Sequence, residues 1–416
     1  TPQTPRQNQT INCVEFLIFN NPDLEQKPVS ELPLTKYFPS PKGAMIARTG
    51  WDEGLDSPDM LVEMKINEIW FANHQHLDAG AFQIYYKGAL ATDAGYYKAG
   101  LASGNNSEND GNSNYGSMHW KNYVRRTIAH NCITVFDPNE QWPSGYDNDG
   151  GQRIGNSGTE ARTLDALLNP DNGYITGEVL GYEFGLDPQA PNYTYLKGDL
   201  AKAYSDKIQN YERSFMFLNL KDKQHPGALI VFDRVVSSNE SFKKSWLLHG
   251  LHEPEINGAQ TVFKDTREGY NGKLTIDTLL PKMDNLAIEK IGGSEKEFWV
   301  NGTNYFAVTK KDGINESGGW RIEVSPKTPS KTDYFLNVLQ VGDANPDVAP
   351  LPVTTIETEK IAGAVIADRV VIFGKDKDRT KEPVEFQFTG EGEYEVTVAD
   401  LEKGTWRVLK DGSEIV

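Results

Sequence analysis

The sequence predicts an all-β protein with a large antiparallel β-sandwich followed by a smaller C-terminal β-sandwich. Short runs of β-branched and aromatic residues recur along the chain, and clusters of Gly, Asn, Asp and Pro separate them. Long stretches with helical periodicity are nearly absent. The 18 tyrosines, 18 phenylalanines and 8 tryptophans suit the half-buried faces of pleated sheets.

The first 40 residues are predicted to be a connector, or the tail of a helical domain. Residues 1–9 are polar, a short apolar run follows at 13–19, and prolines interrupt the chain on both sides of that run. Such a pattern does not favour a long strand or helix.

Residues 41–342 are assigned to the large sandwich, which would contain the metal site and part of the active site. The predicted strands in this range are Leu61–Ile69, Ala81–Tyr86, Asn131–Phe136, Ala228–Val236, Trp246–His249, Phe298–Val300, Tyr305–Val308, Arg321–Val324 and Phe335–Val341. Two long loops, at 99–116 and 137–158, interrupt them, and loops of this length in a sheet protein are usually functional or disordered.

Residues 343–416 are assigned to a linker plus the small C-terminal sandwich. Prolines at 346, 350 and 352 mark the linker, and the predicted strands beyond it are Val365–Phe373 and Tyr394–Val398.

The net charge of the chain disfavours two classes of binding partner. The chain has 42 Lys and Arg against 59 Asp and Glu, a net charge of −17, which repels phosphate backbones and anionic membranes. We therefore expect no nucleic-acid and no membrane partner, although one local basic cleft stays compatible with an acidic ligand. The two cysteines, Cys13 and Cys132, are too few for a disulfide framework or a cysteine zinc site.

Histidines and carboxylates indicate a candidate metal site. His74 and His76 would share one face of a strand, because side chains alternate along a strand. Neighbouring strands could bring Asp93 and His130 beside His76, and imidazole and carboxylate are zinc ligands. Spacing alone does not distinguish a closed structural site from an open one, nor either of these from a pair of ordinary surface or core histidines.

Three segments carry a resemblance to a known family. Residues 73–88 (NHQHLDAGAFQIYYKG), 93–97 (DAGYY) and 125–131 (RRTIAHN) closely resemble the heparinase II/III-like polysaccharide lyases, and the heparinase II branch most of all. The resemblance extends from residue 36 to residue 334. In that family an α/α-toroid of helices precedes the large sandwich and the smaller one. Because no toroid precedes residue 40, we expect this chain to be the sandwich portion and to be catalytically incomplete without that partner domain.

The resemblance also implies roles for six residues. His76, Asp93 and His130 would hold one structural zinc per chain, and His74 would face the substrate cleft as the catalytic base. Asn73 would bind the substrate carboxylate and Tyr97 would contact substrate, whereas the family's principal catalytic tyrosine belongs to the toroid.

The implied activity is cleavage of uronate-containing glycosaminoglycans, of the heparin and heparan sulfate type, by β-elimination. This reaction needs a base for the C5 proton, a group that neutralises the carboxylate, and an acid for the leaving oxygen. An acidic polysaccharide would be the substrate, and the basic and aromatic residues His119, Trp120, Lys121, Arg125 and Arg126 could line its cleft. The family resemblance further implies a periplasmic or secreted bacterial protein and permits a homodimer.

Three alternatives stay open. One is a carbohydrate-binding or structural sandwich whose histidines only build a structural zinc site. Another is a lyase for a different uronate polysaccharide, such as alginate. The weakest is a zinc hydrolase, in which Asp78 would have to activate the water.

Overall fold

The apolar faces of three sheets meet in one central core. The computed structural model describes residues 27–71, 74–95, 115–307 and 318–415, together with isolated residues between 18 and 25. A five-stranded sheet and a four-stranded sheet both face an eight-stranded sheet, and buried side chains from all three form one hydrophobic cluster. The predicted all-β class with a large sandwich is confirmed.

The five-stranded sheet opens the described chain. Its strands follow chain order and pair antiparallel. They are β1 (Thr35–Phe38), β2 (Ala44–Arg48), β3 (Leu61–Lys65), β4 (Phe82–Tyr85) and β5 (Ala89–Ala91).

The eight-stranded sheet is the largest layer, and its strands lie in the order β12-β13-β14-β19-β10-β9-β8-β7. In chain order they are β7 (Glu178–Phe184), β8 (Tyr193–Asp199), β9 (Ile208–Asn219), β10 (Gly227–Ser237), β12 (Glu255–Asn257), β13 (Gln260–Asp265), β14 (Gly272–Leu280) and β19 (Thr332–Asp343).

The four-stranded sheet completes the sandwich and has the order β15-β18-β11-β6. Its strands are β6 (Ile133–Phe136), β11 (Lys243–Gly250), β15 (Leu286–Gly292) and β18 (Trp320–Pro326). Between β15 and β18 the chain forms a small hairpin of β16 (Trp299–Val300) and β17 (Thr303–Asn304).

The C-terminal residues form a second four-stranded sheet: β20 (Val353–Glu357), β21 (Ile361–Ile366), β22 (Arg369–Gly374) and β23 (Glu395–Val398). One face packs on the outer face of the eight-stranded sheet, and Val384, Phe386, Phe388 and Tyr394 cover the other. β22 and β23 pair in parallel, unlike the strands of the other sheets. The hairpin β24 (Leu409–Lys410) with β25 (Ser413–Glu414) ends the described chain.

From residue 27 onwards, helical structure within the described residues is limited to short turns. One α-helical turn spans Leu164–Leu168 and one π-helical turn spans Trp120–Val124. The 3-10 turns are Val29–Glu31, Thr127–Ala129, Gly155–Gly158, Pro170–Asn172 and Ala201–Ala203. Within the described ranges no helix is long and apolar enough to cross a membrane.

Several predicted strand boundaries are wrong. β3 stops at Lys65, four residues before the predicted end. The predicted strand Val365–Phe373 is instead a hairpin of β21 and β22, because Ala367 turns the chain with a φ of 51°. Residues 305–307 are not a strand, and Val308 lies outside the described residues. His74 and His76 also lie outside any strand, in a series of turns that leads into β4.

Candidate active site and metal centre

The candidate site lies where three chain segments meet at the ends of sheet strands. His76 and Asp78 lie just before β4, Asp93 follows β5, and His130 precedes β6. The amide of Ala94 donates to the carbonyl of Ala129 at 2.8 Å. This backbone hydrogen bond brings the segments of Asp93 and His130 side by side.

Backbone anchors hold the segment that carries His76. The Leu77 amide donates to the Arg125 carbonyl at 2.8 Å, and the Thr127 hydroxyl donates to the Leu77 carbonyl at 2.8 Å. The Gln152 side chain accepts from the Ala79 amide at 3.1 Å and donates to the Ala79 carbonyl at 2.8 Å. Side-chain and backbone bonds therefore take the place of a sheet ladder here.

Two Asp-Ala-Gly sequences have the same local geometry. Asp78 is followed by Gly80 with a φ of +83°, and Asp93 is followed by Gly95 with a φ of +96°. A Cβ on Gly80 would lie 2.4 Å from Leu200 Cδ1, and one on Gly95 would lie 2.9 Å from Val124 Cα. Both turns, and hence the placement of both carboxylates, require glycine.

A fully buried arginine ties the site to the sandwich. Arg213 forms a bidentate pair with Asp233 across β9 and β10, with N–O distances of 2.6 and 3.0 Å. Its Nη1 donates to the carbonyls of Gly80 at 2.6 Å and Asn131 at 2.9 Å. The Asn131 amide group in turn donates to the carbonyls of Phe82 and Thr92.

The predicted zinc ligands come together in this frame. Asp93 Oδ1 lies 2.9 Å from His130 Nδ1, and the ring centres of His76 and His130 are 5.1 Å apart. Among the described residues, the group whose ligand atoms all lie within 4.8 Å of one another is Asp78, Asp93 and His130. His76 therefore packs against this group without belonging to it, and Asp78 is an addition that the predicted ligand set lacked.

Asp78 already has two partners. Its Oδ2 lies 2.5 Å from Lys65 Nζ, and its Oδ1 accepts from Asn67 Nδ2 at 2.9 Å. Burial opposes the shift, but Asp78 and then Asp93 hold the pKa of Lys65 above its ordinary value. Both oxygens of Asp78 are thus occupied by the protein itself.

Unsatisfied atoms at the centre of the cluster fit a metal ion. Asp93 Oδ1 and both ring nitrogens of His130 are buried. Although Oδ1 and Nδ1 lie 2.9 Å apart, none of these three atoms forms a hydrogen bond of regular geometry among the described residues. Burial, with His130 nearby, lowers the pKa of His76 to about 4, so the ring is neutral and able to ligate at pH 7. Two imidazoles and one carboxylate are a donor set typical of zinc.

His74 lies on the surface beside the cluster. Its φ of +57° is rare for a residue with a side chain, and the Gln75 side chain holds the turn by accepting from the Phe71 amide and donating to the Ile69 carbonyl. His74 Nδ1 contacts the hydroxyl of Tyr115, and the two ring centres are 5.0 Å apart. The structure thus exposes an imidazole and a phenol together. Sequence reasoning missed Tyr115, whose only signal is its place in the 99–116 loop.

Two predicted substrate-binding residues, Asn73 and Tyr97, lie outside the described residues. The basic and aromatic residues between 119 and 126, predicted to line the cleft, have different surroundings in the structure. His119 is buried, with Nδ1 at 2.6 Å from the Tyr305 carbonyl, and Arg126 is buried against Asp149. Trp120 and Arg125 pack on each other, and Trp120 and Lys121 belong to the π-helical turn Trp120–Val124, which ends before Arg125.

Comparisons of the sequence with family profiles give two matches. Residues 46–189 match the family described as heparinase II/III-like, C-terminal, and residues 355–416 match the heparinase II C-terminal domain. The first match includes His74, His76, Asp93 and His130. A comparison with curated protein sequences finds no match.

Comparison with solved structures finds matches described as a heparan sulfate lyase and as heparinase III. A heparan sulfate lyase HepC mutant from Pedobacter heparinus aligns with a TM-score of 0.51 and 15% identity, over 83% of this chain and 43% of that one. A heparinase III gene product with methylated lysines aligns at 0.49 and 14%, over 80% and 40%, and a further heparinase III at 0.48 and 14%, over 82% and 41%.

The fold similarity rests on the HepC lyase, which has a TM-score above 0.5. This chain spans less than half of the length of that lyase. The two family matches and the shared all-β architecture agree with each other. The chain is therefore an all-β protein that matches heparinase C-terminal domains over residues 46–189 and 355–416.

Proposed function

We propose that the chain forms part of the active site of a polysaccharide lyase that cleaves uronate-containing glycosaminoglycans, of the heparin and heparan sulfate type, by β-elimination. The observation that carries this proposal is the exposed His74–Tyr115 pair beside the cluster of His76, Asp93 and His130. The family relation to heparinases supports the reaction class.

His74 is the group that we propose as the base. In β-elimination the base takes the C5 proton of the uronate, the C–H electron pair forms the C4–C5 double bond, and the C4–O bond breaks. The leaving oxygen gains a proton from an acid. An imidazole suits the first step because its ordinary pKa lies near neutral pH.

Tyr115 is proposed as a positioning residue that acts through His74. Its hydroxyl contacts the ring nitrogen of His74, and a partner at one nitrogen fixes which nitrogen carries the proton. If Tyr115 only orients the ring, Tyr115→Phe lowers kcat about tenfold, leaves KM near the wild-type value and shifts the pH profile of kcat. An unchanged kcat and pH profile would remove Tyr115 from the proposal.

His76, Asp93 and His130 would hold the zinc ion, which supplies a fixed positive charge that orders the segments around it. Lys65 and Asn67 keep Asp78 occupied, so we expect Asp78 to stay outside the ligand set. Through its short link to His76, the metal centre would fix the backbone turn that presents His74.

The substrate is proposed to be a weakly sulfated glycan. A net charge of −17 repels a highly charged polyanion at long range, which disfavours heparin relative to heparan sulfate. Such a substrate is compatible with a periplasmic or secreted protein.

The test is the ultraviolet absorbance of the unsaturated uronate product. Turnover of heparan sulfate, heparin and alginate is measured on this chain and on the full gene product, with His74→Ala and the control His225→Ala. His225 lies in the turn between β9 and β10, outside the site. We expect His74→Ala to lose at least about a hundredfold in turnover, the usual range for a positioned base, with metal content unchanged.

Two results would contradict the proposal. Equal turnover of His74→Ala and wild type would remove the base. Glycan binding without any product from the full gene product would favour the carbohydrate-binding sandwich.

A further inference from the structure

Arg125 differs from the other buried arginines in one respect. Five arginines are buried among the described residues, and four of them contact a carboxylate. The four pairs are Arg126 with Asp149, Arg213 with Asp233, Arg321 with Glu323, and Arg369 with Asp368. Within the described part of the chain, Arg125 forms no ion pair, although it is only 6% exposed.

Two of the three guanidinium nitrogens of Arg125 also lack a hydrogen bond within the described residues. Its Nε and Nη2 atoms are buried and have no partner among the described residues. The guanidinium carbon lies 4.4 Å from the Trp120 ring centre and 5.8 Å from that of Trp70. Cation–π contacts offset part of the cost of burying a charge, but they satisfy no N–H donor. A buried cation with unsatisfied N–H donors calls for an explanation, and an anionic ligand would supply both the charge and the acceptors.

The surroundings of Arg125 lead to the proposed active site. The half-buried Trp120 ring covers the guanidinium, and Tyr115 packs edge-on against Trp120 with ring centres 5.5 Å apart. Tyr115 in turn contacts His74. A continuous line of contacts therefore runs from the buried cation of Arg125, through Trp120 and Tyr115, to the proposed base His74.

Resting on the proposed function, we infer that Arg125 is an anion receptor of the substrate cleft, which takes a carboxylate or sulfate group of the bound glycan. A guanidinium presents a planar fork of N–H donors that matches either oxyanion, and its charge persists when buried. Trp120 would supply an aromatic surface for the sugar ring beside that group. Arg125 is then a specificity-determining residue that binds substrate without taking part in proton transfer.

The test compares Arg125→Met, which keeps much of the side-chain volume without the charge, with Arg125→Lys, which keeps the charge without the fork. The matched control is Arg48→Met, because Arg48 also lies over a tryptophan, with its guanidinium carbon 3.9 Å from the Trp51 ring centre. Calorimetry measures binding of three heparin-derived oligosaccharides to this chain: sulfated, fully desulfated, and carboxyl-reduced but sulfated. Thermal unfolding of each variant is recorded without ligand.

We expect Arg125→Met to weaken binding about tenfold or more, Arg125→Lys to weaken it less, and Arg48→Met to leave it unchanged. The unfolding temperature of Arg125→Met stays level or rises, because an unpaired buried charge is removed. If the loss disappears with the carboxyl-reduced glycan, the bound group is a carboxylate. If it disappears with the desulfated glycan, the bound group is a sulfate.

Other outcomes overturn the inference. Wild-type affinity in Arg125→Met, together with turnover that depends on His74, refutes the receptor and leaves the lyase in place. A lowered unfolding temperature with unchanged affinity gives Arg125 a structural role. If wild type binds none of the three oligosaccharides and yields no product from them, the proposed function fails and the receptor fails with it.

Discussion

Asp78, Asp93 and Lys65 form an unequal set of charges at one end of the sandwich. Two carboxylates face one lysine, and the adjacent His76 is neutral at pH 7 because burial lowers its pKa to about 4. The set therefore carries one negative charge in excess, close to the unsatisfied nitrogens of His130. A bound cation would neutralise this excess.

Replacing Asp78 tests whether its carboxylate pairs with Lys65 or ligates the metal. Asp78→Asn leaves Lys65 buried without its anionic partner, so we expect a loss of about 3–5 kcal/mol in the free energy of unfolding, measured with urea. Zinc content stays at the wild-type level. The control Asp59→Asn, which removes a carboxylate that pairs only with backbone and hydroxyl donors, loses about 1 kcal/mol. A stable Asp78→Asn that has lost its zinc would make Asp78 a ligand.

Individual site residues were predictable only in part. His76, Asp93 and His130 were predicted from residue type and family resemblance, and the structure brings them together. Asp78 and Tyr115 owe their importance to contacts made across 13 or more residues, with Lys65 and His74, which a strand pattern does not encode. Asn73 and Tyr97 stay predictions.

At the scale of elements, the segment from His74 to Gly80 departs most from expectation. His74 and His76 were expected to lie in a strand-edge segment and to share one face of it. The chain turns instead, because Gln75 and Gln152 satisfy its backbone groups and Gly80 takes a positive φ. Long strands were easier to predict. Both faces of β10 are buried, so the strand begins with a continuous apolar run at 227–232, before the paired Asp233. Strands of two or three residues, such as β16 and β24, carry too little pattern to be predicted.

The turn after Asp93 is the element most sensitive to substitution. In Gly95→Ala the Cβ would lie 2.9 Å from the Val124 backbone at a φ of +96°, so we expect a loss of about 2–4 kcal/mol in stability and a lower zinc content. Gly54→Ala is the matched control, because Gly54 has a φ of +98° and a Cβ added there would meet no atom within 4 Å. That control loses about 1 kcal/mol. Equal losses in the two variants would show that crowding against Val124 has no effect.

At the scale of the whole molecule, the C-terminal sheet is attached by packing and by charge. Its apolar face shares a buried cluster with the outer face of the eight-stranded sheet. Lys197 pairs with both Glu212 and Asp400, at 2.8 and 2.6 Å, and so links β8 and β9 to the loop after β23. The order of the two sandwich units along the chain was predictable from the proline-rich linker, whereas this docking depends on distant residues and was not.

Glu357 makes this attachment sensitive to acid. Its oxygens lie 2.8 Å from Lys282 Nζ, in the large sandwich, and 2.6 Å from Lys375 Nζ. Burial opposes the shift, but the two lysines hold the pKa of Glu357 below its ordinary value. The stabilising contribution is therefore present above the unfolded-state pKa, about 4.3, and is lost as pH falls through the lower folded-state pKa.

We therefore expect the stability difference between wild type and Glu357→Gln to shrink as pH falls from about 6 to about 3, measured by urea unfolding. Glu359→Gln, at an exposed position two residues later, should show no such trend. The same pH slope in wild type and Glu357→Gln would contradict the assignment.

The proposed metal centre concerns all three scales, since it would link the residues of the cluster, the turns that place them and the proposed lyase active site. Its most direct measurement is elemental analysis of the purified chain before and after chelation, with His76→Ala, His130→Ala and the surface control His225→Ala. We expect about one zinc per chain in wild type and in the control, and none in the other two variants. The zinc site would be contradicted if the wild-type chain contains no metal, or if His76→Ala and His130→Ala keep it. Either result would also contradict the proposal that the metal fixes the backbone turn of His74.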